Sequence, residues 1–236
     1  MMPVSPWFYT NIPDYNKNWL WHTDELWPLR LEQVYQFNPP FIQLLTWNDW
    51  GESHYLAPLP PYGVNIPTQA QWYVDYTPHN AWLNDLPYYI AKYKAGGVEP
   101  AAESYTPHIT FWYRLNPKSA CSANGTVCNS VQNGETDVRS VLDCTTDAVF
   151  FSVFTPSTAE VHVSIGGVGQ TPQCAPSTGL FHGSFPLNGL TGEVTISATM
   201  RDGSKLGPVT GPAISKTCDY ARNSGNVNWN AWVGGS

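Results

Sequence analysis

The hydrophobic pattern of the first 98 residues predicts four elements, in the order strand, helix, strand, helix. Val4–Asn11 is a short apolar and aromatic run, which indicates a buried strand. Thr23-Asp24-Glu25 predicts a helix start with an acceptor side chain at the cap, and Asn38-Pro39-Pro40 predicts the end of that helix. The run Phe41–Trp47 is again apolar and predicts the second strand.

The second helix is predicted within the stretch HNAWLNDLPYYIAKYKAGG. Pro78 stands just before it, where a first helical turn tolerates proline, and His79 is expected to be a helix-entry residue. Pro87 interrupts the pattern, so we expect a kinked or split helix, and Gly96-Gly97 predicts its end.

From about Tyr105 the pattern changes to short runs rich in β-branched and aromatic residues. Glycine, proline, asparagine and serine separate these runs, which is typical of an antiparallel β-sandwich. The runs are HITFWYRL, DVRSVLDC, AVFFSVFT, EVHVSIGG, LFHGSFPL and EVTISATM. We therefore predict two domains, residues 1–98 and residues 105–236, with a linker near Gly96–Ser104.

Two strand–helix units alone cannot close a sheet on both sides. A (β/α)8 barrel builds its active face from the loops that follow its strands. The loop after Phe41–Trp47 is aromatic and carries carboxylates. Residues 1–98 are therefore predicted to be the last two βα units of a (β/α)8 TIM barrel, followed by an all-β antiparallel β-sandwich.

The charge of the chain argues against nucleic acid and membranes as partners. The 236 residues include 11 Lys and Arg against 18 Asp and Glu, a formal net charge of −7. Such a chain has no general attraction for phosphate backbones or anionic lipid surfaces. The sequence also has no long, uninterrupted apolar run, so no transmembrane helix is predicted.

The five cysteines all lie beyond residue 120 and fit an oxidising compartment better than a metal site. No CxxC pair or Cys/His spacing suggests zinc, and no metal or other cofactor is predicted. The sequon Asn124-Gly125-Thr126 agrees with secretion. Cys121 and Cys128 are the pair favoured for a disulfide bond, because only a short glycine-containing turn separates them.

The stretch LLTWNDWGESHYLAP, from Leu44 to Pro58, holds the candidate chemistry. Asp49 and Glu52 stand among indole rings in a chain of which only 12% of the residues are charged. Glycoside hydrolysis needs a protonated carboxyl group on the leaving oxygen and an ionised carboxylate for the water or the anomeric carbon. Two acids in one loop can reach one bond, and nearby aromatic rings would raise the pKa of one of them, with Glu52 favoured as the proton donor. In the alternative, Asp49 caps the loop through its own backbone and Glu52 pairs with a basic residue.

Aromatic and polar neighbours of the two acids are the candidate substrate-binding residues. Trp50 and Tyr55, within the loop, are preferred as sugar-stacking platforms, whereas Trp47 ends the predicted strand and also suits a core position. His54 either hydrogen-bonds an acid or a sugar hydroxyl, or is an ordinary loop histidine. The candidates are Trp47, Asn48, Trp50, His54 and Tyr55.

The stretch FIQLLTWNDWGESHYLAP closely resembles the strand-and-loop signature of the fungal α-1,3-glucanases, or mutanases, of glycoside hydrolase family 71. VSPWFYTNIPDYNKNWLW is similar to the preceding barrel strand, PHNAWLNDLPYYIAKYKAG to the last barrel helix, and NVNWNAWVGG to the C-terminal end of that family. The resemblance covers essentially the whole chain. It implies an extracellular, endo-acting hydrolase of α-1,3-linked glucan with Asp49 and Glu52 as its acid pair, and we expect a monomer.

The resemblance also implies about six further βα units and a signal peptide ahead of Met1. We therefore expect the chain to be the C-terminal part of such an enzyme, with little activity by itself. The family further suggests inversion of configuration, for which two acids stand roughly 6.5–9.5 Å apart with a water between them. Two alternatives remain open: a non-catalytic glucan-binding remnant and a structural secreted protein.

Overall fold

The computed structural model describes residues 1–62, 64–129, 134, 136–219 and 225–236. Three α-helices lie in this part of the chain: α1 (Leu26–Phe37), α2 (Gln71–Val74) and α3 (Leu86–Lys94). The strands are β1 (Met2–Val4), β2 (Tyr9–Ile12), β3 (Lys17–Leu20), β4 (Ile42–Leu44), β5 (His108–Tyr113), β6 (Val127–Cys128), β7 (Arg139–Ser140), β8 (Ala148–Thr155), β9 (Ala159–Ile165), β10 (Val168–Gly169), β11 (Gln173–Ala175), β12 (Gly179–Pro186), β13 (Gly192–Met200), β14 (Lys205–Ile214) and β15 (Trp232–Gly235).

The first strands form a parallel pair and a hairpin. β1 and β4 are parallel, with Val4 opposite Leu44. The single strand predicted over Val4–Asn11 is instead divided, because β1 ends at Val4 and β2 begins only at Tyr9. β2 pairs with β3 across a 3-10 turn, after which Asn16 adopts a left-handed φ of 53°. β3 then pairs in parallel with β6, and β6 pairs with β7.

The two predicted helices are confirmed, but the first has no side-chain cap. Asp24, within the stretch predicted to open this helix, lies before it, and its carboxylate contacts the guanidinium of Arg114 and the backbone N–H of Thr146. The second helix is split as predicted, into a 3-10 helix at Asn80–Asn84 and then α3.

Two antiparallel sheets make up most of the chain after Tyr105. The central sheet has the strand order β12-β8-β5-β15, and the outer sheet has the order β10-β9-β13-β14, with β11 also paired to β9. One hydrophobic cluster fills the space between these sheets, and it includes Phe111, Phe151, Val161 and Ile196. The other face of the central sheet packs on the N-terminal elements in a second cluster, which includes Trp7, Trp82, Trp112 and Phe150.

Burial on both faces explains the continuous apolar run of β8. All eight of its residues are buried, whereas buried and partly exposed residues alternate along most of β13 in the outer sheet. A strand covered on both sides has no solvent face that would select polar residues. The sequence therefore shows that β8 is buried on both faces and β13 on one, although it does not show which elements cover β8.

Two strand predictions fail for identifiable reasons. The stretch DVRSVLDC was predicted as a strand, yet only β7 is extended and Val141–Asp143 forms a 3-10 helix. β14 was not predicted, because Pro208 and Pro212 argue against a central strand. It lies at the edge of the outer sheet, where proline is tolerated.

The predicted Cys121–Cys128 bond is wrong. Cys128 bonds Cys144, and Cys121 bonds Cys218, which is 97 positions away in the sequence. The pairing of β6 with β7 brings Cys128 close to the 3-10 helix that Cys144 follows. Tertiary pairing, and not the shortest separation, therefore selects the partners. The remaining cysteine, Cys174, is an exposed free thiol.

Contacts cross the predicted boundary between residues 98 and 105. The indole N–H of Trp112 donates to the carbonyl of Asp24 at 2.8 Å, beside the ion pair of Asp24 with Arg114. The described residues contain no closed barrel. The division into a barrel end and a sandwich stays a prediction. Within the same residues, no helix has the length and apolar character needed to cross a bilayer.

Candidate active site

The loop after β4 closes on itself and so holds its acids in place. The hydroxyl of Thr46 accepts a hydrogen bond from the backbone N–H of Asp49 at 2.9 Å, and the 3-10 helix Trp50–Glu52 follows. Backbone bonds of 2.8 and 2.9 Å then tie the two ends together: Thr46 N to His54 O, Leu56 N to Thr46 O, and Ala57 N to Trp47 O.

Close packing at Gly51 anchors the middle of this loop. A Cβ atom at Gly51 would lie 2.9 Å from Cδ1 of Ile12, so a larger residue would require the end of the Ile12 side chain to move. The carbonyl of Gly51 accepts a hydrogen bond from the Tyr73 hydroxyl at 2.7 Å. Ser53 has a left-handed φ of 59° and turns the chain back toward His54.

The three polar side chains of the loop converge. Nε2 of His54 lies 3.3 Å from Oδ2 of Asp49 and 3.4 Å from Oε2 of Glu52. One oxygen of each carboxylate lies within 4.8 Å of the other. Asp49 is the open side of the cluster, with 45% of its side chain exposed, against 24% for Glu52 and 9% for His54. The structure thus brings both predicted acids and His54 into one small cluster.

Lys17 is a fourth member of the site that the sequence did not predict. Its Nζ lies 2.5 Å from Oε1 of Glu52. Lys17 begins β3, directly after the turn of the β2–β3 hairpin. The pattern hid this hairpin, because Val4–Asn11 was interpreted as one strand. The alternative interpretation of the loop is therefore supported in part. Glu52 does pair with a basic residue, and a backbone contact of the Asp49 carboxylate with Glu52 is one cause of its lowered pKa.

Asp49 is held in its ionised form. Contact with the His54 imidazole is the largest cause that lowers the pKa of Asp49, and electrostatic attraction to His54 and Lys17 and a backbone hydrogen bond from Glu52 add to it. Partial burial opposes this change without reversing it. An ionised carboxylate at the open side of the cluster suits the task of holding and activating a water.

The order of preference among the aromatic candidates is corrected. Trp50 is 7% exposed and Tyr55 is fully buried, whereas Trp47 is 62% exposed. A buried ring offers no face for a sugar to stack on, so among these three rings only Trp47 is accessible, and sugar stacking on Trp47 stays a prediction. Asn48, between Trp47 and Asp49, is also exposed.

The buried rings of Trp50 and Tyr55 pack beneath the surface of the acid loop and support it. Trp50 packs against Tyr55, and Tyr55 stacks on His79 at a centroid distance of 4.0 Å. The Tyr55 hydroxyl donates to the carbonyl of Thr77 at 2.6 Å and accepts from Nδ2 of Asn230 at 3.1 Å. His79 stands just before the 3-10 helix, as predicted, and burial lowers its pKa to about 3, so its ring is neutral. These residues position the acid loop and do not line it.

An aromatic wall closes the cluster on the side of β2. Phe8 is nearly buried and meets the His54 ring edge-on at 5.7 Å. Trp21 in turn stacks on Phe8 at 4.0 Å. This wall fixes the orientation of His54, and the sequence offered no signal for it beyond a high aromatic content.

The expectation of inversion refers to acids whose carboxyl groups stand roughly 6.5–9.5 Å apart. One oxygen of Asp49 and one of Glu52 lie within 4.8 Å of each other, which is a distance between selected atoms and not between the carboxyl groups, so inversion stays a prediction. The stereochemical outcome therefore gains no support from the distance. The side chains of Asp49, Glu52 and His54 are also a set of donors that suits a metal ion.

Comparison with known proteins gives a consistent result. The family model of "Glycosyl hydrolase family 71" matches residues 1–236. The glucan endo-1,3-alpha-glucosidase agn1 of Schizosaccharomyces pombe is 33% identical over 98% of this chain and 49% of its own length. A mutanase of Penicillium rubens is 34% identical over 70% of this chain and 34% of its own length. The ascus wall endo-1,3-alpha-glucanase of Schizosaccharomyces pombe is 30% identical over 71% of this chain and 37% of its own length.

The chain spans about half the length of the agn1 relative, and less of the other two. No solved structure matches the chain. The family match extends from the first residue to the last and includes the loop that joins Asp49, Glu52 and His54. On this evidence the chain belongs to glycosyl hydrolase family 71.

Proposed function

We propose that this chain supplies the acid pair of a secreted endo-acting glycoside hydrolase that cleaves α-1,3-glucan. The observation that carries the proposal is the convergence of Asp49 and Glu52 on one open cluster in a family 71 chain. The cluster follows the carboxyl end of β4, which is paired in parallel with β1. This is where the active-face loops of a (β/α)8 barrel arise. The fold class predicted from the sequence, a barrel end followed by a β-sandwich, belongs to the same proposal.

Asp49 is proposed as the carboxylate that holds the attacking water, and Glu52 as the proton donor. The lowered pKa of Asp49 supports the first assignment. Glu52 is the longer and less exposed acid, and it lies beyond Gly51, from where it can reach a glycosidic oxygen. Oε1 of Glu52 also contacts Nζ of Lys17, so this ion pair has to open before that oxygen can meet a glycosidic oxygen.

The substrate and location are proposed from the relatives and the disulfide bonds. All three relatives have names that specify a glucan endo-1,3-alpha-glucosidase, a mutanase or an endo-1,3-alpha-glucanase. Two disulfide bonds, Cys121–Cys218 and Cys128–Cys144, agree with an extracellular protein. We propose that the protein acts outside the cell as a monomer on a wall polysaccharide.

The test replaces each acid with its amide. The variants Asp49→Asn and Glu52→Gln are made in this chain and in a chimera, in which the chain replaces the matching part of the agn1 relative. Reducing ends released from α-1,3-glucan are measured. Each variant should lose about three or more orders of magnitude in kcat while it still binds glucan. The control is Asp137→Asn, which removes an exposed acid from the predicted domain of residues 105–236.

A substrate with an activated leaving group sharpens the assignment of roles. It should partly restore turnover in Glu52→Gln, because its leaving group needs no proton, and it should not help Asp49→Asn. The reverse pattern would exchange the two roles. Near-full turnover of both amide variants in an active chimera would show that the loop only binds glucan.

A further inference from the structure

We propose that Asp49, Glu52 and His54 also form a binding site for a divalent transition-metal ion such as Zn²⁺. The first argument is spacing. In tetrahedral zinc sites the ligand atoms lie about 2.0–2.2 Å from the ion, which places them about 3.3–3.6 Å from one another. The imidazole Nε2 lies 3.3 Å from Oδ2 of Asp49 and 3.4 Å from Oε2 of Glu52. The two carboxylate oxygens lie within 4.8 Å of each other, so small side-chain movements bring all three atoms to the spacing of one ion.

The second argument is the state of His54. Its side chain is only 9% exposed, and Nε2 points at both carboxylates. Within the described residues, neither ring nitrogen has a hydrogen-bond partner of good geometry. A buried polar nitrogen without a partner is costly and uncommon. A bound ion would give Nε2 a direct bond in place of its two long contacts with carboxylate oxygens.

The third argument is how charge and access are distributed. Lys17 contacts Oε1 of Glu52, whereas the other oxygen, Oε2, faces His54. Glu52 can therefore bind an ion through Oε2 and keep its ion pair. Asp49 is 45% exposed, which leaves a path from solvent to the cluster. One imidazole and two carboxylates suit Zn²⁺ better than Mg²⁺, which prefers oxygen ligands alone.

The consequence for catalysis rests on the proposed function. An ion bound by Asp49 and Glu52 would occupy the lone pairs that these acids need for proton transfer. Zn²⁺ is therefore expected to inhibit glucan hydrolysis, and removal of the ion with a chelator should restore it.

Calorimetric titration of the 236-residue chain with Zn²⁺ tests the site. A Cys174→Ser background removes the exposed thiol, which would otherwise compete for zinc. We expect one saturable site per chain, at least about tenfold weaker in His54→Ala and in Asp49→Asn. Mg²⁺ should bind at least about tenfold more weakly than Zn²⁺. The matched control is His162→Ala, which removes an exposed histidine 3.8 Å from the single carboxylate of Glu160.

The competing explanation of the cluster is a protonated His54 between two carboxylates, with no metal. It would hold, and the proposal would fail, if Zn²⁺ showed no saturable binding, if His54→Ala bound it unchanged, or if Mg²⁺ bound equally well. Asp49→Asn serves as the second variant if His54→Ala does not fold, because Asp49 lies at the surface. Titration does not depend on turnover. An inactive chimera would therefore count against the proposed function, whereas an active chimera without a zinc site would count against this inference alone.

Discussion

Two histidine–carboxylate contacts in this chain are built from the same groups and have opposite surroundings. At the acid loop, the His54 ring nitrogens lack hydrogen-bond partners within the described residues, and Asp49 is 45% exposed. At the junction of the two regions, Asp85 is fully buried and its Oδ1 lies 2.9 Å from Nε2 of His108. The first cluster is open and incompletely satisfied, whereas the second is sealed.

The buried pair has partners at both ring nitrogens of His108 and at Oδ1 of Asp85, while Oδ2 of Asp85 has no hydrogen-bond partner among the described residues. Nδ1 of His108 faces the carbonyl of Thr106 at 3.0 Å, and the hydroxyl of Thr110 donates to Asp85 at 3.1 Å. A carbonyl and a carboxylate accept hydrogen bonds, so these contacts favour the doubly protonated ring and raise the pKa of His108. A carboxylate that remains accessible, like that of Asp49, can take a ligand, whereas one that is fully buried, like that of Asp85, can only hold the fold together.

Removal of the buried carboxylate of Asp85 should give the largest change in stability. Asp85→Asn leaves the His108 ring buried without its counter-charge, and we expect the free energy of unfolding at pH 5 to fall by about 3 kcal/mol. Asp49→Asn should change it by no more than about 0.5 kcal/mol, since Asp49 is half exposed. Denaturant unfolding of both variants measures the contrast. Equal losses would show that the acid loop is as structural as the junction.

The second-largest expected effect is a pH-dependent contribution of His108 to stability. Burial lowers the pKa of His108, but the hydrogen bond and charge of Asp85, together with the Thr106 carbonyl, outweigh it and raise the pKa. A raised pKa stabilises the fold below the unfolded-state pKa, and this contribution is lost as pH rises through the folded-state pKa. The stability difference between wild type and His108→Gln should therefore be larger at pH 5.5 than at pH 9.

The matched control for this measurement is His162→Gln, because His162 lies at the surface of β9 with Glu160 3.8 Å away. Its effect on stability should vary little over the same range. A pH-independent difference for His108→Gln would mean that its role is packing against Phe154 and not charge.

The smallest expected effect concerns the open cluster and its exposed ring. Trp47→Ala should weaken binding to insoluble α-1,3-glucan by about fivefold, or about 1 kcal/mol, because one stacking face is lost. Phe41→Ala is the control: Phe41 is 71% exposed, but it lies at the opposite end of β4. Depletion of the chain from solution by glucan measures both. Equal losses would indicate non-specific adsorption.

Much of the fold was predictable, because local patterns decided it. The ends of α1 and α3, the split before Pro87 and the strands β5, β8, β9, β12 and β13 correspond to the predicted runs. The acids Asp49 and Glu52 were also predictable, since two carboxylates among indoles in a sparsely charged chain are unusual. Membership of family 71 followed from the same stretch, and the comparisons confirm it.

Tertiary structure alone decided what surrounds these residues. The sequence could not show that Lys17 reaches Glu52, that Cys128 bonds Cys144, or that Trp47 is exposed while Tyr55 is buried. Each depends on strands and loops that are distant in the chain, such as the β2–β3 hairpin and the β6–β7 pair. Hydrophobic periodicity reports which side of an element is apolar, but it carries no information about which neighbour covers that side. The sequence therefore determined the chemistry of the loop, and the packing of distant segments determined which of its side chains are accessible.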